Sequence, residues 1–340
     1  MIVLPSPYTA HPGRLEDLED IWRLLVAVSM AEAGTPGFGY DDVENWLTGF
    51  PIVIGEDVLL IREAAGALAG VQIFHSRDPY VRPIAVGGVH PDHVGRGLGT
   101  ALVGWARDRA RAQGPKAPAD ARVKFVVHVA AGHEPSETLM RDTGFELTRY
   151  FIDMEIEFSA PPAAAQMPDG VTIREVDPLS DIPALADAIR DSFRDHYGFV
   201  ETPQQRQIDQ LNHWAGASSH DPSLWWVAEA EGAIVGFNLC DDASEGNEEI
   251  GYVATLGVLR EHRRKGLGRA LLLVAFNAFY DRGKRGAALG VDADSLTGAT
   301  RLYESVGMRP GARYSTWEIE IRPGIDLATA DVPDGGEGPG

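Results

Sequence analysis

Between Val253 and Leu273 an apolar, β-branched run ending Leu256-Gly257-Val258 leads through Leu-Arg-Glu-His into a basic turn, and an apolar-rich helical pattern follows. The turn reads Arg263-Arg264-Lys265-Gly266-Leu267-Gly268-Arg269. A helix opening in this way presents unpaired backbone N–H groups and a positive dipole end, while its glycines remove side chains that would keep a phosphate away. The segment is therefore an anion cradle. A Walker loop is excluded because the lysine precedes the glycine instead of following it. A dinucleotide fingerprint is excluded too, since Leu271 stands where its third glycine belongs and its acid would fall in a helix tail near Asp281.

A lone Gly-x-Gly turn has little specificity, so its downstream context matters. Ala287 to Ser295 reads as a strand ending in a polar turn, and Thr297 to Gly307, carrying Arg301-Leu302-Tyr303, reads as a short helix with a Gly-Met exit. In this order, Arg263-x-x-Gly266-x-Gly268 and the Leu302-Tyr303 segment resemble the two signatures of the GNAT superfamily of acyl-CoA N-acyltransferases. Ser295 stands where many members have asparagine. The resemblance implies acetyl-CoA as donor, with its pyrophosphate on residues 263–269, further cofactor contacts from Ser295 and Arg301, and Tyr303 as the acid that protonates the leaving thiolate. It also implies that the strand before the loop splays from its neighbour, leaving amides near Leu256, Gly257 and Val258 for the pantetheine arm, with Val258 as oxyanion donor.

The chain then repeats itself. Gly88-Val89-His-Pro-Asp-His93-Val94-Gly95-Arg96-Gly97-Leu98-Gly99 aligns without a gap on Gly257 to Gly268, and Leu139-Met140 aligns on Leu302-Tyr303. So long a period indicates duplicated domains rather than a solenoid, and 340 residues suffice for two cores. The expected fold is α/β: two tandem GNAT folds, each a central, mostly antiparallel twisted sheet with a splayed strand pair and flanking helices. The first copy would occupy 1–158, a Pro/Ala linker 159–170, the second copy 171–322, and a disordered Gly/Pro/Asp tail 323–340.

The copies differ chemically. Met140 cannot donate a proton, Val94 replaces Arg263, and the strand from Arg82 to Val89 has no carboxylate, whereas Glu248 and Glu249 precede the second strand. Alternation puts Glu249 on the face where the resemblance expects a base. The C-terminal copy is thus expected to be catalytic, with Tyr303 and Glu249, and the N-terminal copy degenerate but able to hold coenzyme A on Gly88, Val89 and Val94 to Gly99. Its two strand glycines, Gly87 and Gly88, would loosen that strand. The alternative is a non-catalytic acyl-CoA-binding or sensing tandem.

A net charge of −20 argues against a nucleic-acid partner and suits a cationic acceptor. The single cysteine, Cys240, allows neither an internal disulfide nor a Cys-based metal cluster, and no metal is expected. No leader or membrane span is evident, which points to the cytoplasm. The acceptor is expected to be a small-molecule amine such as an amino sugar or aminoacyl conjugate. His196, Tyr197, Trp214, Trp225, Trp226 and Tyr252 are candidate contacts, and a monomer would be compatible with docked halves.

Overall fold

The computed structural model describes residues 3–49, 52–217, 220–244, 246–293 and 299–329. Ser295 lies outside them. The chain forms two compact units, residues 1–150 with 313–327 and residues 151–312 with the segment from Ala328 onward.

In unit 1 the strands are β1 (Thr9–Pro12), β2 (Val58–Arg62), β3 (Leu68–His75), β4 (Ile84–Val89) and β5 (Val123–Ala130), followed in the sheet by β12 (Arg309–Arg322). The strands β2, β3 and β4 form an antiparallel meander, while β4 and β5 run parallel and pair only at Ile84↔Val126 and Ala85↔Val127. The helices α1 (Leu18–Glu32) and α2 (Tyr40–Thr48) pack Ile21, Leu25, Val43 and Leu47 against Val58, Leu60, Val71 and Ile73. The short α3 (Ile54–Asp57) leads into β2. On α4 (Leu98–Gln113) and α5 (Glu134–Asp142), Val103, Ala106 and Met140 pack with Phe74, Phe125 and Trp317.

Unit 2 repeats the plan. Its sheet order is β7 (Val171–Glu175), β8 (Trp225–Ala230), β9 (Ala233–Asp241), β10 (Ile250–Val258), β11 (Gly286–Asp292) and β6 (Glu146–Glu157). The helices α6 (Ile182–Phe193) and α7 (Gln204–Gly216) bury Leu185, Ile189 and Leu211 against Trp225, Phe237 and Leu239. On the opposite face α8 (Leu267–Asp281) and α9 (Ala299–Ser305) pack with Trp226, Val253, Leu289 and Val291. Trp225 and Trp226 thus point to opposite faces, as strand alternation requires, and both are core residues.

Contiguous halves 1–158 and 171–322 therefore need correction. Each unit completes its sheet with a strand from the other half of the sequence: residues 151–157 of β6 pair with β11, and Tyr314 to Arg322 of β12 pair with β5. The segment 159–170 does not join the units, because both its ends belong to unit 2. It runs along α8, where Asn277 donates from its Nδ2 to the Ala163 carbonyl. The tail expectation changes as well. Ile325 exchanges backbone hydrogen bonds with Asp120 and Arg122 in unit 1, and Thr329 with Gly198 and Phe199 in unit 2. Residues 330–340 lie outside the described set.

Candidate active site in unit 2

The site is made by a strand that outruns its neighbour. β10 pairs in parallel with β11 only from Ile250↔Gly286 to Tyr252↔Ala288, yet continues to Val258. Its antiparallel pairing with β9 continues to Val258↔Gly236, with a bulge between Val253 and Thr255. Leu259 donates to the Val235 carbonyl, so Leu259 and Gly257 face β9, and by alternation the N–H groups of Leu256 and Val258 face the gap. Of the three amides that the resemblance assigns to the thioester arm, Leu256 and Val258 thus face the gap, and Gly257 is a correction because its N–H is turned to β9.

Gly257 also fits a packing need. A Cβ there would come within 2.1 Å of the Phe237 ring and 2.7 Å of Ser192 Oγ. Its absence lets the end of α6 close over β10. The strand glycines of unit 1 act likewise, and this replaces the loosening role: a Cβ on Gly87 would strike the Val71 carbonyl, and one on Gly88 would meet Val28 of α1 at 2.9 Å.

Beyond β10 the backbone turns with Arg264 at φ 61° and Gly266 at φ 87°, and Gly266 caps α8. Ala270 N–H to Gly266 O opens the helical ladder at 3.0 Å, so the preceding amides have no intrahelical acceptor. Arg264 and Lys265 are exposed beside them. At Gly268 a Cβ would meet Leu302 at 3.1 Å, so that glycine serves helix packing.

Arg263 is a correction. Its guanidinium does not turn toward the cradle: Nη1 donates to Asp195 at 2.7 Å, Nη2 to the Ser192 carbonyl at 2.8 Å, and Nε to the Val258 carbonyl at 3.1 Å. The side chain is a strut between α6 and the end of β10. Burial pushes the Asp195 carboxyl up, but hydrogen bonds and charge from Arg263, with a further bond from Arg260, outweigh it and hold the group below its usual range. Arg269 also leaves the loop. It lines a separate hollow of about 230 Å³ with Ser159, Ala160, Pro162 and Ala163 of the former linker. Arg301 is exposed on α9.

A cavity of about 380 Å³ fills the gap between β10 and β11. Its walls are Val253 to Leu256, Leu289 to Asp292, Phe151, residues 195–199 with Phe193, and Ala299 and Tyr303. Tyr303, 9% exposed, has its phenol pushed up to about 12 by burial. It remains protonated at neutral pH, as a proton donor must.

Glu249 is not brought to this cavity. β10 begins one residue later, and the Glu249 carboxylate accepts from Arg285 Nη1 at 3.0 Å with its side chain 62% exposed. At 3.3 Å per residue it stands about 30 Å along the strand from Val258. His196 and Tyr197 do line the cavity. Trp214 instead lies against His220, and Tyr252 is not a lining residue. Asp292 is a lining residue that sequence reasoning misses, although its place at the end of a strand facing the gap is readable. Cys240 is fully buried, with burial pushing its thiol up, and it is remote from any reactive role.

In unit 1 the same backbone recurs with other side chains. Gly95 and Gly97 have φ 81° and 78°, Gly97 caps α4, and Ala101 N–H to Gly97 O opens the ladder. Val94 is exposed, and Arg96 donates to the Tyr8 hydroxyl at 2.7 Å. Gly99 accommodates Leu139 as Gly268 accommodates Leu302. Met140 is buried in the core.

A model of the acetyltransferase (GNAT) family matches residues 183–308, which hold the cradle and the cavity's lining residues other than Phe151. A mycothiol acetyltransferase of Acidothermus cellulolyticus is 31% identical over 257 residues, 71% of this chain and 73% of the relative. The chain belongs to the GNAT acetyltransferase family. A GCN5-related N-acetyltransferase from Sphaerobacter thermophilus, 32% identical, superposes with a TM-score of 0.82 over 96% of this chain and all of that one. A tandem GNAT protein from the clavulanic acid biosynthesis pathway, 15% identical, shares the fold with a TM-score of 0.70 over 94% of this chain and all of that one. Among the described residues no GNAT helix is long and apolar enough to cross a membrane, and no His/Cys/Asp/Glu group is arranged to hold a metal.

Proposed function

We propose that unit 2 moves an acetyl group from acetyl-CoA to the primary amine of a small molecule by direct attack on the thioester. The carrying observation is the buried phenol of Tyr303 on the wall of a cavity that opens onto the unpaired edge of β10. The cradle suits the donor's pyrophosphate through amides 264–269 and the exposed cations of Arg264 and Lys265. Leu256 and Val258 hold the pantetheine arm by their N–H groups, and Val258 stabilises the oxyanion as the amine nitrogen bonds to the carbonyl carbon.

When the carbon–sulfur bond breaks, Tyr303 gives its proton to the sulfur. His196, the imidazole on the acceptor side, takes the proton lost by the amine, and solvent exchange returns both groups to their starting forms. Glu249 has no part in this scheme. The test is thiol release from acetyl-CoA with a panel of amines, a mycothiol-related amine among them because relatives carry that name. Amine-dependent release that disappears with unit 2 variants is expected. Release independent of any amine, or none at all with the donor bound, sinks the proposal and leaves a tandem that only binds acyl-CoA.

A further inference from the structure

Unit 1 ties together with side chains the place where unit 2 keeps a cavity. Val28 of α1 lies against Gly88 as Ser192 of α6 lies against Gly257, so Glu32 and His196, each four residues further along, are counterparts. Ser136 stands four residues before Met140, and Ala299 four before Tyr303, which makes those two counterparts as well. In unit 2, His196 and Ala299 both line the cavity in the strand gap. In unit 1, Ser136 Oγ donates to Glu32 Oε1 at 2.7 Å, and His133 Nδ1 stands 2.9 Å from the same hydroxyl. The serine's one proton is spent on Glu32, so His133 carries its proton on Nδ1 and donates to Ser136. Its ring also lies 3.6 Å from Glu32 Oε1.

The helices α1 and α5 lie on opposite faces of the sheet of unit 1. The adjacent β3 residues Ile73 and Phe74 show this, one packing in the core with α1 and the other in the core with Met140 of α5. Their ends therefore meet where the sheet is open, beyond the last β4 to β5 pair at Ala85↔Val127. We propose that Glu32, Ser136 and His133 form a latch across the gap of unit 1 that bars the thioester arm, so that this unit takes up coenzyme A only when the latch opens. This rests on the same use of the strand gap as proposed for unit 2. Glu32 and His133 are 24% and 26% exposed, so each has water as an alternative partner and the closure is reversible. The affinity of unit 1 for the cofactor is then its intrinsic affinity scaled by the fraction of chains with the latch open.

Calorimetric titration of coenzyme A into the full chain carrying Gly266→Val, which disables the unit 2 cradle, tests this. Adding Gly97→Val shows that the remaining heat belongs to unit 1. Glu32→Ala and Ser136→Ala should each raise the affinity of that site about tenfold, the scale of one hydrogen bond to a charged group. Glu32→Gln keeps an acceptor for Ser136 and should stay within about threefold of the parent, although it removes the same charge as Glu32→Ala. The nucleotide head of the cofactor without its arm, 3′-phospho-ADP, should bind all these variants alike.

Equal coenzyme A affinity in latched and unlatched chains overturns the proposal, and so does a unit 1 that binds in none of them, since the latch then bars nothing. If Glu32→Gln gains as much as Glu32→Ala, or if 3′-phospho-ADP gains together with coenzyme A, the effect is one of charge and the latch is overturned. Failure of the unit 2 reading looks different. In chains without Gly266→Val it would leave no heat beyond the component that Gly97→Val removes, whatever the latch variants do.

Discussion

The cradles of units 1 and 2 are nearly the same object in the backbone and different objects in the side chains. Gly95 and Arg264 hold the same left-handed position at φ 81° and 61°, and Gly97 and Gly266 cap their helices at 78° and 87°. Both units pair their parallel strands over only a few residues before the gap opens. Yet Arg96 is tied to Tyr8, Val94 replaces the Arg263 strut, and Met140 sits in the core where unit 2 has Tyr303. The difference teaches that the chain path and the side chains on it vary independently: the left-handed turn and capped helix recur in both units, whereas the buried phenol that the proposed acyl transfer uses is present in unit 2 and replaced by Met140 in unit 1.

The strongest way to break this comparison is a matched pair of substitutions. Gly266→Val should reduce turnover more than a hundredfold, and Gly97→Val should leave it within about twofold, although both force a branched residue into the left-handed region. Both variants should be checked for folding by calorimetry. Complete loss in Gly97→Val with unit 2 still binding coenzyme A would make unit 1 part of the catalytic machinery.

Next in size, Tyr303→Phe should lower kcat by roughly ten- to a thousandfold with acetyl-CoA affinity retained, the scale of a lost general acid. Met140→Ala should instead cost about 2–5 kcal/mol of stability, read by denaturant melts, with little change in turnover. The pH profile sharpens the contrast. Because the Tyr303 phenol is raised to about 12, it should impose no alkaline limb on kcat up to about pH 10. Its linkage to folding has the corresponding sign: stability falls as pH rises from the ordinary tyrosine value of 10 through about 12. An alkaline limb near pH 8 that vanishes in Tyr303→Phe would contradict the assignment.

A smaller effect is expected for Arg263→Val, which copies Val94. Freed of the strut, the end of β10 should lose about tenfold in kcat while coenzyme A affinity moves less than threefold. Arg264→Gln with Lys265→Gln should do the reverse, weakening the cofactor and flattening its salt dependence. If Arg263→Val also flattens the salt dependence, its guanidinium contacts phosphate after all. The smallest effect should be shared: Gly268→Ala and Gly99→Ala each push a leucine by a few tenths of an ångström, so both should cost about 1 kcal/mol.

Much of the fold and cradle is legible in the sequence because it is local. A β-branched strand, a glycine-rich turn and an apolar helix pattern are neighbours along the chain, and the downstream Leu302-Tyr303 segment supports the order of elements. Sequence reasoning misjudges Arg263 because its partner Asp195 lies on another helix, and no spacing rule couples an arginine to an acid that far away. It misjudges Glu249 because alternation gives a face but not the distance along the strand to the gap. The exchanged strands are illegible for a related reason. β6 and β12 carry strand-like patterns, but the pattern does not name the partner strand, and the Pro/Ala segment offers a more obvious boundary.

The exchange of β6 and β12 also sets a clock on biosynthesis. When β5 has left the ribosome, unit 1 still lacks the strand that covers its edge, and that strand is among the last to be made. At ordinary elongation rates the wait is on the order of ten to forty seconds. Through that interval the backbone groups of β5 that β12 will engage are open to any passing extended chain, the circumstance in which nascent proteins enlist chaperones or aggregate. A ribosome stalled anywhere before Tyr314 would therefore release a fragment holding neither a closed first sheet nor a harmless edge.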